Sequence, residues 1–354
     1  MKRPDLSKIF SKVHIRRPSK RLVKRLALAL TVVLVLPVAV AGSALRAAYA
    51  GAPAAEAVTR GKDAIWLGHA WVDGRKGDAE LAGLKRKMAG TGLRDLYVHT
   101  GPLEHDGTLP AKVYPRASWL IESVHRELPG VRVHAWLGDK VVRKGEGDAG
   151  LRLDSAAART AVVASARQVM RAGFEGVHLD VEPVRSGDAS FLALLEGLRP
   201  AVRSAGGVFS VAAQQIDPVP GMHRAARVAG SPKWWTQEYF GQVARRTDQI
   251  AVMSYDTGLP VESLYGGYVA RQTALALQVT PRDTDLLMGL PFYHTDSWGH
   301  HGQAETAAAA VRGARLGLSR EDRDRERFGL ALYVDFAATD SDWRAYRDGW
   351  GARG

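Results

Sequence analysis

At 354 residues, with 46% hydrophobic and 24% charged residues, the chain has the composition of a folded globular protein, which excludes a wholly disordered or collagen-like polymer. Cysteine is absent, so disulfides, thiol nucleophiles, zinc–thiolate and iron–sulfur sites and a lipidated cysteine are excluded as well. The net charge of +12 would suit nucleic acid or an anionic surface, but residues 1–25 alone hold ten Lys/Arg against Asp5. That leaves 39 bases and 36 acids in the rest of the chain, so the body is nearly neutral and no nucleic-acid partner is expected.

The basic segment 1–25 runs straight into residues 26–45 (LALALTVVLVLPVAVAGSAL), twenty residues without a charge. As a helix rising about 1.5 Å per residue, this stretch matches a hydrocarbon core of roughly 30 Å. Dense Lys/Arg before it, and only Arg46 just after it, place the N-terminus in the cytoplasm and the remainder outside. The segment therefore reads as a single-pass membrane anchor. The alternative is a secretory signal cleaved at the A-x-A-like Ala48-Tyr49-Ala50. Residues 46–62, rich in small side chains, read as a linker.

Residues 63–354 alternate short β-rich runs with longer helical stretches. The runs fall at 64–71, 93–99, 131–137, 176–182, 208–214, 249–255, 286–292 and 328–335. Helical character appears at 155–172, 190–204, 234–246 and 303–316, and the alternating charges of 320–327 (REDRDRER) read as a solvated helix face. Eight strands alternating with helices call for parallel pairing and right-handed crossovers, and a closed (β/α)8 TIM barrel fits the count best. A doubly wound open sheet is the runner-up, although no G-x-G-x-x-G follows the first strand.

The most informative stretch is 172–183 (AGFEGVHLDVEP). Side chains alternate across a strand, so His178, Asp180 and Glu182 share one face and Val177, Leu179 and Val181 the other. The apolar face should meet the helices and the ionisable face should point into the barrel. Burying three unpaired polar groups there would cost several kcal/mol. Such groups are tolerated at the C-terminal mouth of a barrel, where active sites form. Two carboxylates two residues apart also push their pKa values apart, leaving one protonated and able to act as an acid. A purely structural alternative is a buried ion-pair network with nearby Arg185.

This strand, Glu175-x-x-His178-x-Asp180-x-Glu182, resembles the D-x-x-D-x-D-x-E signature of the family 18 glycoside hydrolases, the chitinase-like barrels. Met253-Ser254-Tyr255-Asp256 at the sixth strand is similar to the family's M-x-Y-D, and Gly289-Leu290-Pro291-Phe292-Tyr293 at the seventh to its G-x-P-x-Y. Tyr333 stands on the eighth strand where the family carries a tryptophan. The resemblance implies that Glu182 protonates the glycosidic oxygen. It further implies that Asp180 orients the substrate's N-acetyl group and that Tyr255 binds the acetamido oxygen. Asp256 and Tyr293 would line the same subsite, and Tyr333 would floor a sugar ring. Attack by the substrate's own acetamido group is the substrate-assisted route, which needs no protein nucleophile. The chain departs from the family at His178, which replaces an aspartate, and in the third strand, which lacks S-x-G-G. An imidazole at 178 could bond to Asp180 and contact substrate, but it would alter the proton relay and hence the pH profile.

Trp66, Trp71, Trp136 and Trp298 lie near strand ends, where they would either stack on sugars or fill the barrel. Gln214 and Gln215 end the fifth strand, with Gln214 the expected sugar contact. His69, His99, His134, His294, His300 and His301 match no metal-ligand spacing, so no metal or cofactor is expected. Ser210 and Ser254 lack a G-x-S-x-G elbow, which argues against a serine hydrolase. A glycosidase acting on a β-linked N-acetylhexosamine polysaccharide is therefore expected, with a catalytically weak carbohydrate-binding barrel as the alternative.

Overall fold

The computed structural model describes residues 20–143, 145, 149–224 and 233–351, with side chains from residue 35 onward. Most of the basic segment, residues 1–19, lies outside the described residues. The chain divides into two units, Met1–Ala44 and Leu45–Gly354. Helix α1 (Lys20–Tyr49) forms the described part of the first unit and ends in the second. It contains the apolar run 26–45. Among the described residues, no helix is long and apolar enough to cross a membrane.

The second unit is built on eight parallel strands: β1 (Asp63–Leu67), β2 (Leu93–Pro102), β3 (Arg132–Lys140), β4 (Gly176–Glu182), β5 (Val208–Ala213), β8 (Gln249–Val252), β9 (Asp285–Pro291) and β10 (Phe328–Tyr333). They close in the order β1-β10-β9-β8-β5-β4-β3-β2. The closing pair, Ala64↔Ala331 and Ile65↔Leu332, rules out the open sheet. Each strand is followed by a helix: α2 (Asp78–Met88), α3 (Ala117–Glu127), α4 (Ala156–Arg171), α5 (Ala189–Arg203), α6 (Gln237–Ala244), α7 (Glu262–Val279), α8 (Ala307–Glu321) and α9 (Asp340–Trp350). A short parallel ladder of β6 (Gln215–Ile216) and β7 (Trp234–Trp235) follows β5. Side-chain caps begin several helices, among them Ser155 on the Ala158 amide and Asp188 on the Ser190 and Phe191 amides.

All eight expected strands are present, but the first is shorter than its run. Gly68 leaves the strand and residues 69–71 form a single tight turn. A Cβ on Gly68 would sit 2.7 Å from the Phe336 ring, so glycine permits this close approach. The strands divide into two faces as alternation requires. Val177, Leu179 and Val181 join the large core between strands and helices. Inside the barrel lie Ala64, Trp66, Tyr97, Ala251, Leu287 and Ala331.

The barrel interior is also polar. Asp95 is buried and takes two bonds from Arg132 (2.7 and 2.8 Å) and one from Gln249 Nε2 (2.8 Å), with His134 Nε2 at 3.2 Å. Burial alone would raise the Asp95 pKa, but His134 and Arg132 hold it below the ordinary carboxylate value. At the barrel seam, buried Asp63 accepts from Tyr346 Oη (2.7 Å), Trp350 Nε1 (3.0 Å), Thr59 Oγ1 (2.8 Å) and the Leu330 amide (2.7 Å). One carboxylate thus ties β1, β10 and the last helix together.

Two sequence expectations change. Residues 46–62 do not behave as a loose linker within the second unit. Arg312 donates to the Gly51 carbonyl, Arg315 to Ala57 and Arg320 to Ala48 and Ala50, pinning this run of carbonyls to α8. The charged run 320–327 is not a wholly solvated face. Arg325 is buried, and its guanidinium donates to the carbonyls of Thr280, Pro281 and Thr284, which follow the end of α7.

Replacing Asp63 by Ala leaves the Tyr346 hydroxyl and Trp350 indole buried without their acceptor. We expect Asp63→Ala to lower unfolding stability by about 3 kcal/mol in chemical denaturation, since charge-assisted bonds carry more than neutral ones. Tyr346→Phe should cost about 1 kcal/mol.

Candidate active site

The three polar residues of β4 point inward at successive depths. His178 is fully buried. Its Nε2 accepts from Trp66 Nε1 (3.0 Å), which fixes the proton on Nδ1, 2.9 Å from Ser210 Oγ. Burial holds the imidazole pKa well below the usual value, and the ring stacks on Tyr97 at 3.8 Å. From Ser210 the bonds continue to Tyr97, to Gln249 and down to Asp95. This corrects the expectation for His178. Both ring nitrogens are occupied by protein, so it neither bonds to Asp180 nor reaches the cleft to contact substrate.

Asp180 lies one step higher. Its Oδ2 accepts from Trp136 Nε1 at 2.9 Å, and its buried Oδ1 has no hydrogen-bond partner. The close approach of β3 depends on Gly138, whose Cβ would meet the Asp180 carbonyl at 2.7 Å. Burial pushes the Asp180 pKa up to about 6, opposed by the Trp136 bond. Glu182 ends the strand at the rim. Its side chain opens on the cleft yet is ringed by protein, and lost hydration followed by the charges of Asp180 and Asp256 pushes its pKa up to about 8. At neutral pH Glu182 is therefore a proton donor beside a more acidic partner.

A cavity of about 230 Å³ joins Asp180 and Glu182 to Gln214, Tyr255, Asp256 and Tyr333. Tyr255 is buried and stacks on Tyr333 at 5.2 Å, and burial keeps its phenol protonated far above the usual range. Tyr293 lies edge-on to both and donates from its hydroxyl to Asp256 Oδ1 at 2.5 Å. Gln214 presents a buried Oε1 without a partner. Of the expected catalytic and substrate-binding residues, Asp180, Glu182, Gln214, Tyr255, Asp256 and Tyr333 thus line one cleft, Tyr293 stands behind Asp256, and His178 lies below. Gln215 instead braces the backbone, its amide donating to the Met253 and Tyr255 carbonyls and fixing the exit of β8.

Asp256 occupies the left-handed region at φ 56°, which Asp tolerates better than most residues. Buried Glu305 stabilises this turn by accepting from the amides of Thr257 and Gly258 (both 3.0 Å). Buried His300 stacks on Tyr293, with Nδ1 3.2 Å from Asp256 Oδ1 and 3.5 Å from Glu305 Oε2. These three residues bring donor atoms within 4.8 Å of one another. Glu305 accepts backbone N–H groups, while both His300 ring nitrogens are buried without a hydrogen-bond partner, so the three residues form a close carboxylate–imidazole–carboxylate cluster at Asp256. No sequence pattern signals it, since His300 and Glu305 lie more than forty residues from Asp256 and share no motif with it. Lys233, which lines the cleft and donates to the Asp256 carbonyl, carries no sequence signal either.

The tryptophans divide. Trp66 is core, and Trp71 is buried with its N–H on Asp335 (2.8 Å). Trp136 is the Asp180 partner, and Trp298 is fully exposed.

No protein-family model and no curated protein sequence matches the chain. Solved structures do match. The spore cortex-lytic enzyme SleL of Bacillus megaterium QM B1551 aligns with a TM-score of 0.57 at 12% identity, over 82% of this chain and 74% of that one. A chitinase from Chromobacterium violaceum ATCC 12472 gives 0.55 at 15% identity, over 82% and 99%. A chitinase from Bacteroides thetaiotaomicron gives 0.55 at 16%, over 81% and 95%. The fold is shared.

The raised Glu182 pKa carries a stability consequence. Between the ordinary glutamate value of 4.5 and about 8, the folded protein binds a proton that the unfolded chain has released. Stability therefore falls as pH rises through that window. Glu182→Gln removes this dependence. Its melting temperature should exceed that of the parent by a margin that widens from pH 4.5 to 8 and then levels, and a margin constant with pH would refute the shift.

Proposed function

We propose that the chain is a glycoside hydrolase of β-linked N-acetylhexosamine polymers of the chitin or peptidoglycan type. The observation that carries this reading is Glu182 at the rim, its pKa pushed up by burial, two residues from a buried, partly unpartnered Asp180, in a cleft lined by Tyr255 and Tyr333. The shared fold with chitinases and a cortex-lytic enzyme supports it, as does the resemblance of the β4, β8 and β9 motifs.

In this mechanism Glu182 gives its proton to the glycosidic oxygen as the bond to the anomeric carbon breaks. The acetamido carbonyl oxygen of the same sugar attacks that carbon, forming an oxazolinium ion and keeping the positive charge on the substrate. Asp180 orients the acetamide N–H and offsets the developing charge, held in place by Trp136. The Tyr255 hydroxyl donates to the acetamido group, and Asp256, held by the Tyr293 hydroxyl on a turn braced by Glu305, lines the subsite. Water then opens the ring, with Glu182 as carboxylate taking the proton and restoring the starting state.

We further propose that residues 26–45 anchor the protein in a membrane with the barrel on the outer side. The basic residues before the run support this orientation. Contacts made by residues 48–57 on α8 support retention of that segment in the mature chain.

Glu182→Gln should lower turnover of N-acetylglucosamine oligomers by about 10²–10⁴-fold with intact substrate binding. Full turnover in this variant would overturn the mechanism. Binding without turnover in the parent would instead favour a carbohydrate-binding barrel. Trp298→Ala should raise KM for insoluble polymer and leave kcat on short oligomers unchanged, because a fully exposed indole acts only through extended contact.

A further inference from the structure

Asp256, His300 and Glu305 converge from two loops, the first leaving β8 and the others joining β9 to α8. The loops are fastened to each other, since the Gly258 amide donates to the Gly299 carbonyl at 2.8 Å. His300 is 1% exposed and Glu305 is fully buried, whereas Asp256 opens on the catalytic cleft. Hydrogen bonds account for both carboxylates. Asp256 Oδ1 accepts from the Tyr293 hydroxyl. Glu305 Oε1 accepts from the Thr257 and Gly258 amides, and its Oε2 from Thr257 at 3.1 Å. Lys233 donates to the Asp256 backbone carbonyl rather than to a carboxylate oxygen. His300 is different: its Nδ1 and Nε2 are both buried without a partner.

An imidazole nitrogen carries either a proton that seeks an acceptor or a lone pair that seeks a donor. His300 Nδ1 stands 3.2 Å from Asp256 Oδ1 and 3.5 Å from Glu305 Oε2, yet it makes a hydrogen bond to neither. In a hydrogen bond the acceptor sits close to the N–H axis. In a coordination sphere the ion takes that axis and the other ligands flank it. Nitrogen and oxygen ligands of a tetrahedral zinc ion, each roughly 2.0–2.2 Å from the metal, lie about 3.3 Å apart. The two separations at His300 fall on either side of that value. A carboxylate oxygen has two lone pairs, so one that accepts a hydrogen bond can still bind an ion. The Tyr293 hydroxyl and the Thr257 and Gly258 amides then serve as the outer partners that orient coordinating carboxylates.

We propose that Asp256, His300 and Glu305 bind one divalent first-row transition ion, and that zinc is the metal their donors suit best. An imidazole nitrogen beside two carboxylates matches zinc, whereas calcium and magnesium take oxygen ligands throughout. Three protein ligands leave a further position for water, as in open zinc sites. The ion fastens the left-handed turn at Asp256, φ 56°, to the loop before α8, and so positions a residue that lines the cleft. Positions 256, 300 and 305 match no ligand spacing because the fold, and not a local motif, assembles the set. Binding of the ion does not rest on the glycosidase reading.

The test treats the full chain with a chelator, titrates it with ZnCl2 by calorimetry and counts bound metal by elemental analysis. One Zn²⁺ per chain should bind, at least about tenfold more tightly than Ca²⁺ or Mg²⁺. His300→Gln should weaken zinc binding at least about tenfold. Asp256→Asn should do the same, and it decides the matter if His300→Gln does not fold. The Asn oxygen still accepts from Tyr293, and the side chain at 256 is 54% exposed, so this variant spares the core. Zinc should also raise the melting temperature of the parent and leave that of either variant unmoved. Glu182→Gln should bind zinc as the parent does, which separates this site from the Asp180–Glu182 pair. The proposal is overturned if the parent binds no zinc saturably, or binds Ca²⁺ or Mg²⁺ as tightly. It is equally overturned if binding survives in Asp256→Asn, or is lost in Glu182→Gln.

Discussion

The site depends on the two-residue alternation of β4. Because Val177, Leu179 and Val181 are held in the outer core, His178, Asp180 and Glu182 have no choice but to face the barrel axis. A strand also rises by about 3.3 Å per residue, so residues two apart stand roughly 7 Å higher at each step. Three ionisable side chains thereby meet three environments: a closed floor, a half-covered wall and an open rim. Their chemistry follows from depth. The floor residue is neutral and fully bonded, the wall carboxyl is buried with one oxygen unpartnered, and the rim carboxyl keeps its proton.

The replacement of an acid by His178 is accommodated through direction. Trp66 must donate, so His178 Nε2 must accept and its proton must leave from Nδ1 towards Ser210. The chain of donors then points away from the cleft, ending on Asp95 with its cationic partners Arg132 and His134. Asp180 shares no proton with the floor, and its fixed contact is the Trp136 indole. An indole can donate but cannot accept, so this contact favours the ionised form of Asp180 without ever taking its proton. That arrangement makes Asp180 a fixed anion-forming group rather than a member of a proton relay.

Much of this is legible in the sequence because it follows from periodicity. Strand β4 begins and ends where alternation places it, and its inward face carries the three residues that the pattern predicts. What escapes is contact made across large sequence separations. Nothing local distinguishes Trp136, which bonds to Asp180, from Trp66, which bonds to His178. Both are aromatic residues on barrel strands, and only register separates their depths. His300 and Glu305 act on Asp256 across a loop whose path no hydropathy pattern encodes. Arg325 departs from its pattern for a related reason. Its neighbouring charges are those of a solvated face, but carbonyls after α7 need donors, and a guanidinium can supply several from one buried position.

Where the barrel leaves polar atoms unsatisfied is as informative as where it satisfies them. At the seam, Asp63 collects donors from Thr59, Leu330, Tyr346 and Trp350, and the Asp95 network inside the barrel is likewise dense. In the cleft, Asp180 Oδ1 and Gln214 Oε1 are buried with no protein partner. Leaving such atoms unpaired costs stability in the free protein. A bound acetamide or sugar hydroxyl would return those bonds, so the cost is recovered only on binding. The orphan acceptors of the cleft therefore call for a ligand that brings hydrogen-bond donors.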